Sequence, residues 1–72
     1  MNSLHTYYER MNDDYYISVD RSYNGYICEY GELSCTVMSL NTFETVEETE
    51  IDIGKDNAFK VFSDMCRKYG VN

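Results

Sequence analysis

An α+β fold is predicted for this 72-residue chain: a four-stranded, alternatively three-stranded, antiparallel meander with a C-terminal helix packed on one face and a short N-terminal helix. Three observations predict it. The apolar residues from Tyr15 to Ile53 recur with period two, which describes half-buried strands. Gly- and Asn-containing dipeptides punctuate that region at hairpin spacing. Beyond Gly54 the period changes to that of an amphipathic helix. At this length the chain is a single domain, residues 1–72, held by one layer of apolar side chains.

The first segment, SLHTYYERMN, places Leu4, Tyr7, Tyr8 and Met11 at i, i+3, i+4 and i+7. That spacing predicts a short helix capped by Asn2 or Ser3, ended by the turn-forming Asn12-Asp13-Asp14. From Tyr15 the alternation begins, with Tyr15, Ile17 and Val19 on one side and Tyr16, Ser18 and Asp20 on the other. Asn24-Gly25 suits a two-residue hairpin turn, after which Tyr26 to Tyr30 returns antiparallel. Two-residue and four-residue loops alike set Tyr15, Ile17 and Val19 beside Tyr26, Cys28 and Tyr30 on the core face. Gly31-Glu32 is expected to turn the chain again, so that Leu33 to Leu40 adds Leu33, Cys35 and Val37 to that face.

A loop near Asn41-Thr42 then leads into TVEETEIDI. A five-residue connection, Asn41 to Thr45, would oppose Cys35 to Ile51 and Leu33 to Ile53. Ile51 and Ile53 then point inward, and Glu48, Glu50 and Asp52 outward. The helix is predicted over Asn57 to Tyr69, with Asp56 as its N-cap and Gly70 as the C′ residue. Its apolar stripe is Ala58, Phe59, Phe62, Met65, Cys66 and Tyr69, and Arg67 and Lys68 suit the negative end of its dipole.

Charge narrows the function. The chain carries 13 acids against 6 bases, a net charge of −7. Residues 1 to 54 hold eleven acids and two bases, and residues 55 to 72 hold two acids and four bases. Such a body repels nucleic-acid phosphates and anionic membranes and is drawn to basic surfaces. The expected partner is therefore a basic protein, with neither direct nucleic-acid binding nor membrane association. With no basic leader and no apolar run long enough to span a bilayer, a soluble cytoplasmic protein is expected.

Catalytic and metal chemistry find little support. His5 lies in the N-terminal segment, while Cys28, Cys35 and Cys66 all fall on the predicted core face, where thiols are inert. Three cysteines without CxxC spacing suit a reducing compartment, and the spacings match no zinc motif. No enzyme activity, no metal site and no cofactor is expected.

The acidic strand carries the strongest signal. Alternate residues on a strand lie about 6.6 Å apart, so Glu48, Glu50 and Asp52 form a row of charges comparable in spacing to successive phosphates of a nucleic-acid strand. Asp20 and Glu29 turn to the same face, Glu44 and Glu47 lie close to it, and Tyr16 and Tyr23 offer aromatic anchors. These nine residues are the candidate partner-binding site. The bland alternative is a solvated edge, charged to prevent aggregation.

The acidic run ETVEETEID and the Tyr-rich segments HTYYER and DDYYISVDRSYNGY, in so small and acidic a chain, resemble phage-encoded inhibitors, especially anti-CRISPR proteins of the DNA-mimic kind. The resemblance is one of composition and architecture over the whole chain. It implies a stoichiometric inhibitor that occupies a basic nucleic-acid channel of a CRISPR effector in the host cytoplasm. An immunity protein or antitoxin directed at a basic nuclease toxin would carry the same surface, and a structural subunit with a solvated acidic edge is a further reading.

Overall fold

Four strands pair in the order of the chain, and one helix crosses one face of the sheet. In the computed structural model, which describes residues 2–72, β1 spans Asn2–Met11, β2 Tyr15–Asn24, β3 Glu29–Ser39 and β4 Thr45–Ile51, followed by α1, Ala58–Lys68. The sheet is an antiparallel meander, β1-β2-β3-β4. The α+β class and the C-terminal helix are as the sequence predicts.

The short N-terminal helix is not. Residues 2–11 form the edge strand β1, in which Glu9 pairs with Ser18, Arg10 with Ile17 and Met11 with Tyr16. Pairing with β2 brings nine of the ten β1 residues into register with a neighbouring strand, whereas so short a helix is marginal without tertiary support. Tyr and Thr also favour strands. The Asn12 side chain closes the hairpin, its Oδ1 accepting from the backbone N–H groups of Asp14 and Tyr15, each at 2.8 Å.

The middle of the sheet holds one strand where two are expected. Gly31-Glu32 does not turn the chain; together these residues oppose the single residue Ser22, a bulge inside β3. A Cβ on Gly31 would lie 2.1 Å from Ser22 Oγ, so glycine is what lets the strands close there. The chain turns instead through Gly25–Cys28, with Cys28 at φ 53° and Asn24 Oδ1 accepting from the N–H of Tyr26 at 3.0 Å. Consequently β2 pairs directly with residues 33–39: Ile17 with Val37, Val19 with Cys35, Arg21 with Leu33. Tyr26, Cys28 and Tyr30 leave the core and are exposed.

The next register differs by two residues from the expected one, with Leu33 opposite Ile51 and Cys35 opposite Thr49. A shift of two preserves the face, so Ile51 is buried as expected. Ile53 lies beyond β4 and is exposed.

Asn57, rather than Asp56, caps α1, its Oδ1 accepting from the N–H of Lys60 at 3.1 Å. Gly70, at φ +69°, ends the helix and lets the Val71 N–H reach the Cys66 carbonyl at 2.8 Å. Val71 is thereby folded into a core of Ile17, Val19, Leu33, Cys35, Val37, Ile51, Phe62, Met65 and Cys66. All of this core lies between the helix and one face of the sheet. The other face has no layer over it.

Candidate functional site

That uncovered face is built by alternation. Because Ile17, Val19, Cys35, Val37 and Ile51 point to the helix, their strand neighbours point away. One cross-strand row reads Glu9, Ser18, Thr36, Glu48, and the next reads Thr6, Asp20, Ser34, Glu50. Glu32 stands beside them, lining with Leu4, Asp20, Ser22, Ser34 and Glu48 a shallow depression of about 300 Å³. In these two rows no carboxylate is directly opposite another on an adjacent strand, where like charges repel most.

Hydroxyls occupy the intervening positions and donate to the acids. Thr6 Oγ1 and Ser18 Oγ each donate to Asp20, to Oδ1 and Oδ2 respectively, at 2.6 Å. Thr36 Oγ1 donates to Glu48 Oε2 at 3.3 Å, and the Tyr16 hydroxyl donates to Glu9. That bond to Glu9, aided by partial burial, pushes the Tyr16 phenol up to about 12, so it remains a donor at neutral pH. Ionised carboxylates only accept, and each oxygen has more than one acceptor direction. Glu9, Asp20 and Glu48 are therefore held in place and still able to receive Arg or Lys.

The bases are elsewhere. Arg10 lies 5.4 Å from the Phe62 ring centre. Arg21 stacks 4.7 Å from the Tyr30 ring and donates through Nε to the Gly31 carbonyl at 3.0 Å. Lys60, Arg67 and Lys68 are on α1, and Lys55 is in the turn before it. Among the described residues the ion pairs are Lys60–Asp64, Arg67–Asp64 and Lys68–Glu47, none of them on the uncovered face.

The nine residues singled out from sequence separate into groups. Glu48, Glu50, Asp20 and Tyr16 come together on the uncovered face, and alternation from Tyr30 puts Glu29 on the same side near the hairpin tip. Glu47 points to the helix, accepting at Oε1 from Lys68 Nζ at 2.7 Å and from the Tyr69 hydroxyl at 2.6 Å. Those two donors, Lys68 foremost, hold its carboxyl below the usual range, and the same contact raises Lys68 and Tyr69. Glu44 is in the connection before β4, where its carbonyl accepts from the Ser39 N–H at 2.9 Å. Asp52 has left the strand: its Oδ1 accepts from the Gly54 N–H at 2.9 Å. Tyr23 lies on the helix side beyond the end of α1, 4.7 Å from Tyr30 and 6.5 Å from His5 between ring centres.

Sequence reasoning missed Glu9, Glu32 and the hydroxyls of Thr6, Ser18 and Thr36. Glu9 and Thr6 were hidden in the segment read as helix. The signal that finds them is the repeated Tyr-Tyr pair, at 7–8 and 15–16, on either side of Asn-Asp-Asp, the pattern of a hairpin.

The thiols are divided. Cys35 and Cys66 are in the core, where burial pushes Cys35 up to about 11 and raises Cys66 as well, so both stay protonated. Cys28 is exposed at the hairpin tip, not in the core. Among the described residues no three His, Cys, Asp or Glu side chains converge as metal ligands do. No described helix is long and apolar enough to cross a membrane. In comparisons with known proteins, no family model, no curated protein and no solved structure matches this chain.

Proposed function

We propose that the chain is a binding protein whose uncovered sheet face docks on a basic, nucleic-acid-binding surface of another protein and excludes nucleic acid from it. The observation that carries this reading is the segregation of charge: Glu9, Asp20, Glu32, Glu48 and Glu50 share one face with hydroxyls and with no Lys or Arg. A charge run that served only to protect an edge would be confined to β4, whereas these acids extend across four strands.

Docking begins with electrostatic steering of the acidic face toward a cationic groove, and that attraction weakens as salt rises. It is completed by charge-assisted hydrogen bonds from Arg and Lys to carboxylates already fixed by Thr6, Ser18, Thr36 and Tyr16. Fixing them beforehand lowers the entropy lost on binding. Tyr16 supplies an aromatic contact on that face. The resemblance to anti-CRISPR proteins makes a CRISPR effector the first partner to try. A nuclease toxin neutralised by this chain as its immunity protein or antitoxin would meet the same face.

The test is capture from a bacterial lysate on the immobilised protein, at low and high salt and with excess nucleic acid as competitor. The expected result is a basic nucleic-acid-binding protein retained at low salt, displaced by nucleic acid, and lost from D20N/E48Q/E50Q. Retention that ignores both nucleic acid and those substitutions contradicts the reading.

A further inference from the structure

The two edges of the sheet are unequally protected. β4 is seven residues long and carries Glu47, Glu48 and Glu50, the kind of charged edge that resists pairing with another strand. β1 is ten residues long, has no Lys or Pro, and bears Glu9 and Arg10 as its charges beside His5. It leaves Leu4 66%, Tyr7 52% and Met11 59% exposed. Its one irregularity is the register shift at Tyr7, after which alternation resumes. Along such an edge, alternate backbone N–H and C=O groups have no partner strand.

We infer that β1 is a strand-addition site, and that its occupant is an extended segment of the basic partner in which Lys or Arg alternates with apolar residues. The inference rests on the function proposed above for the adjoining face.

Charge complementarity selects this occupant. A strand laid beside β1 has period two, so every second side chain falls beside Leu4, Thr6, Glu9 and Met11 on the uncovered face. There Glu9 and the neighbouring Asp20 favour cations. The remaining side chains fall beside His5, Tyr8 and Arg10 on the helix side. Tyr8, stacked on Phe62 at 5.6 Å between ring centres, offers them apolar surface. A second copy of the chain fits poorly, because it brings a further −7 charge and sets two acidic faces side by side. Main-chain hydrogen bonds would supply affinity, and the alternation specificity.

The probe is an acetylated, amidated peptide of sequence KVKVKVKV, compared with the blocked sequence KKKKVVVV and with EVEVEVEV. Amide hydrogen exchange and chemical shifts of the full chain are read at low salt. The alternating Lys peptide is expected to slow exchange of alternate β1 amides at least tenfold at saturation, the other two are not, and E9K weakens the protection severalfold. Binding of KVKVKVKV with shifts confined to the uncovered face and no protection in β1 overturns strand addition and leaves the acidic-face reading standing. Failure of both Lys peptides to bind overturns both. Equal protection by EVEVEVEV overturns the charge argument for the occupant. Protection of β1 without peptide, accompanied by a dimer in sedimentation, makes the occupant a second copy and overturns the inference.

Discussion

The two faces of this sheet are made by the same strands, residue by alternate residue, yet they solve opposite problems. On the helix face Ile17, Val19, Cys35, Val37 and Ile51 meet Phe62, Met65 and Cys66. Charges near that face are neutralised or stacked, as with Glu47 against Lys68 and Arg10 over Phe62. On the other face nothing is buried except Ser18, and carboxylates are held by hydroxyls without a counter-ion. The first arrangement stabilises the fold. The second accumulates like charge, which opposes folding and favours binding to a cationic surface.

The difference is broken most severely from the helix side. Phe62→Ala removes the largest fully buried side chain and is expected to cost about 3–5 kcal/mol. A domain of this size has roughly 4–11 kcal/mol of stability in total, so the urea midpoint should fall sharply or the protein should unfold. On the uncovered face the sign reverses. E32Q/E48Q/E50Q should raise the urea midpoint at low salt, and the gain should shrink as salt screens the wild-type repulsion. A destabilised triple variant would mean that the Thr36 bond to Glu48 outweighs the repulsion among these carboxylates.

Much of this contrast was legible in the sequence, and several of the exceptions fall at bulges. Ile17, Val19, Cys35, Val37 and Ile51 were expected inward, and Asp20, Glu48 and Glu50 outward, because simple alternation holds at those positions. Where a bulge interrupts it, reading by period fails. In β1 the helix-like spacing of Leu4, Tyr8 and Met11 corresponds to no shared face: around the register shift at Tyr7, Leu4 and Met11 lie on the uncovered side and Tyr8 on the helix side. The bulge at Gly31-Glu32 places even-numbered Tyr30 on the same side as odd-numbered Leu33 and Cys35, which invites a turn that is not there. β4 is displaced by two residues from its expected partners because the chain turns back sooner, the Ser39 N–H already meeting the Glu44 carbonyl. The irregularity between Val37 and Met38 alters the register by only one residue. Glu47 was misplaced for a different reason: its charge suggests solvent, but Lys68 and Tyr69 reach down from the end of the helix to meet it.

The Glu47 contact sharpens the comparison through pH. Its carboxyl is held below the ordinary range in the folded protein, so the unfolded chain binds the proton more readily as pH falls. The stability it contributes is present above the unfolded carboxylate pKa and lost as pH falls through the lower folded value. E47Q should flatten that part of the acid limb of the stability profile. Lys68 gives the alkaline counterpart: raised above its unfolded value, it contributes fully below that value, and the contribution is lost as pH rises through its folded pKa.

The smallest effect belongs to Tyr16. Y16F should alter stability by about 1 kcal/mol or less, yet remove from the phenolate absorbance titration the step near 12. In the wild type that step weakens the fold as pH rises from the ordinary Tyr range to about 12, since the unfolded chain loses this proton first. Loss of a step at the ordinary Tyr value instead would separate Tyr16 from Glu9.

The central claim is that the uncovered face is the surface that engages cations. The direct measurement is the salt dependence of binding an acetylated octa-arginine peptide, for the wild type, for D20N/E48Q/E50Q, and for the control D13N/D14N/E44Q, which removes equal charge away from that face. The account predicts a steep fall of affinity with salt for the wild type and the control, and a shallow one for D20N/E48Q/E50Q. Equal slopes for the two triple variants would show that net charge alone draws the peptide, and would contradict it.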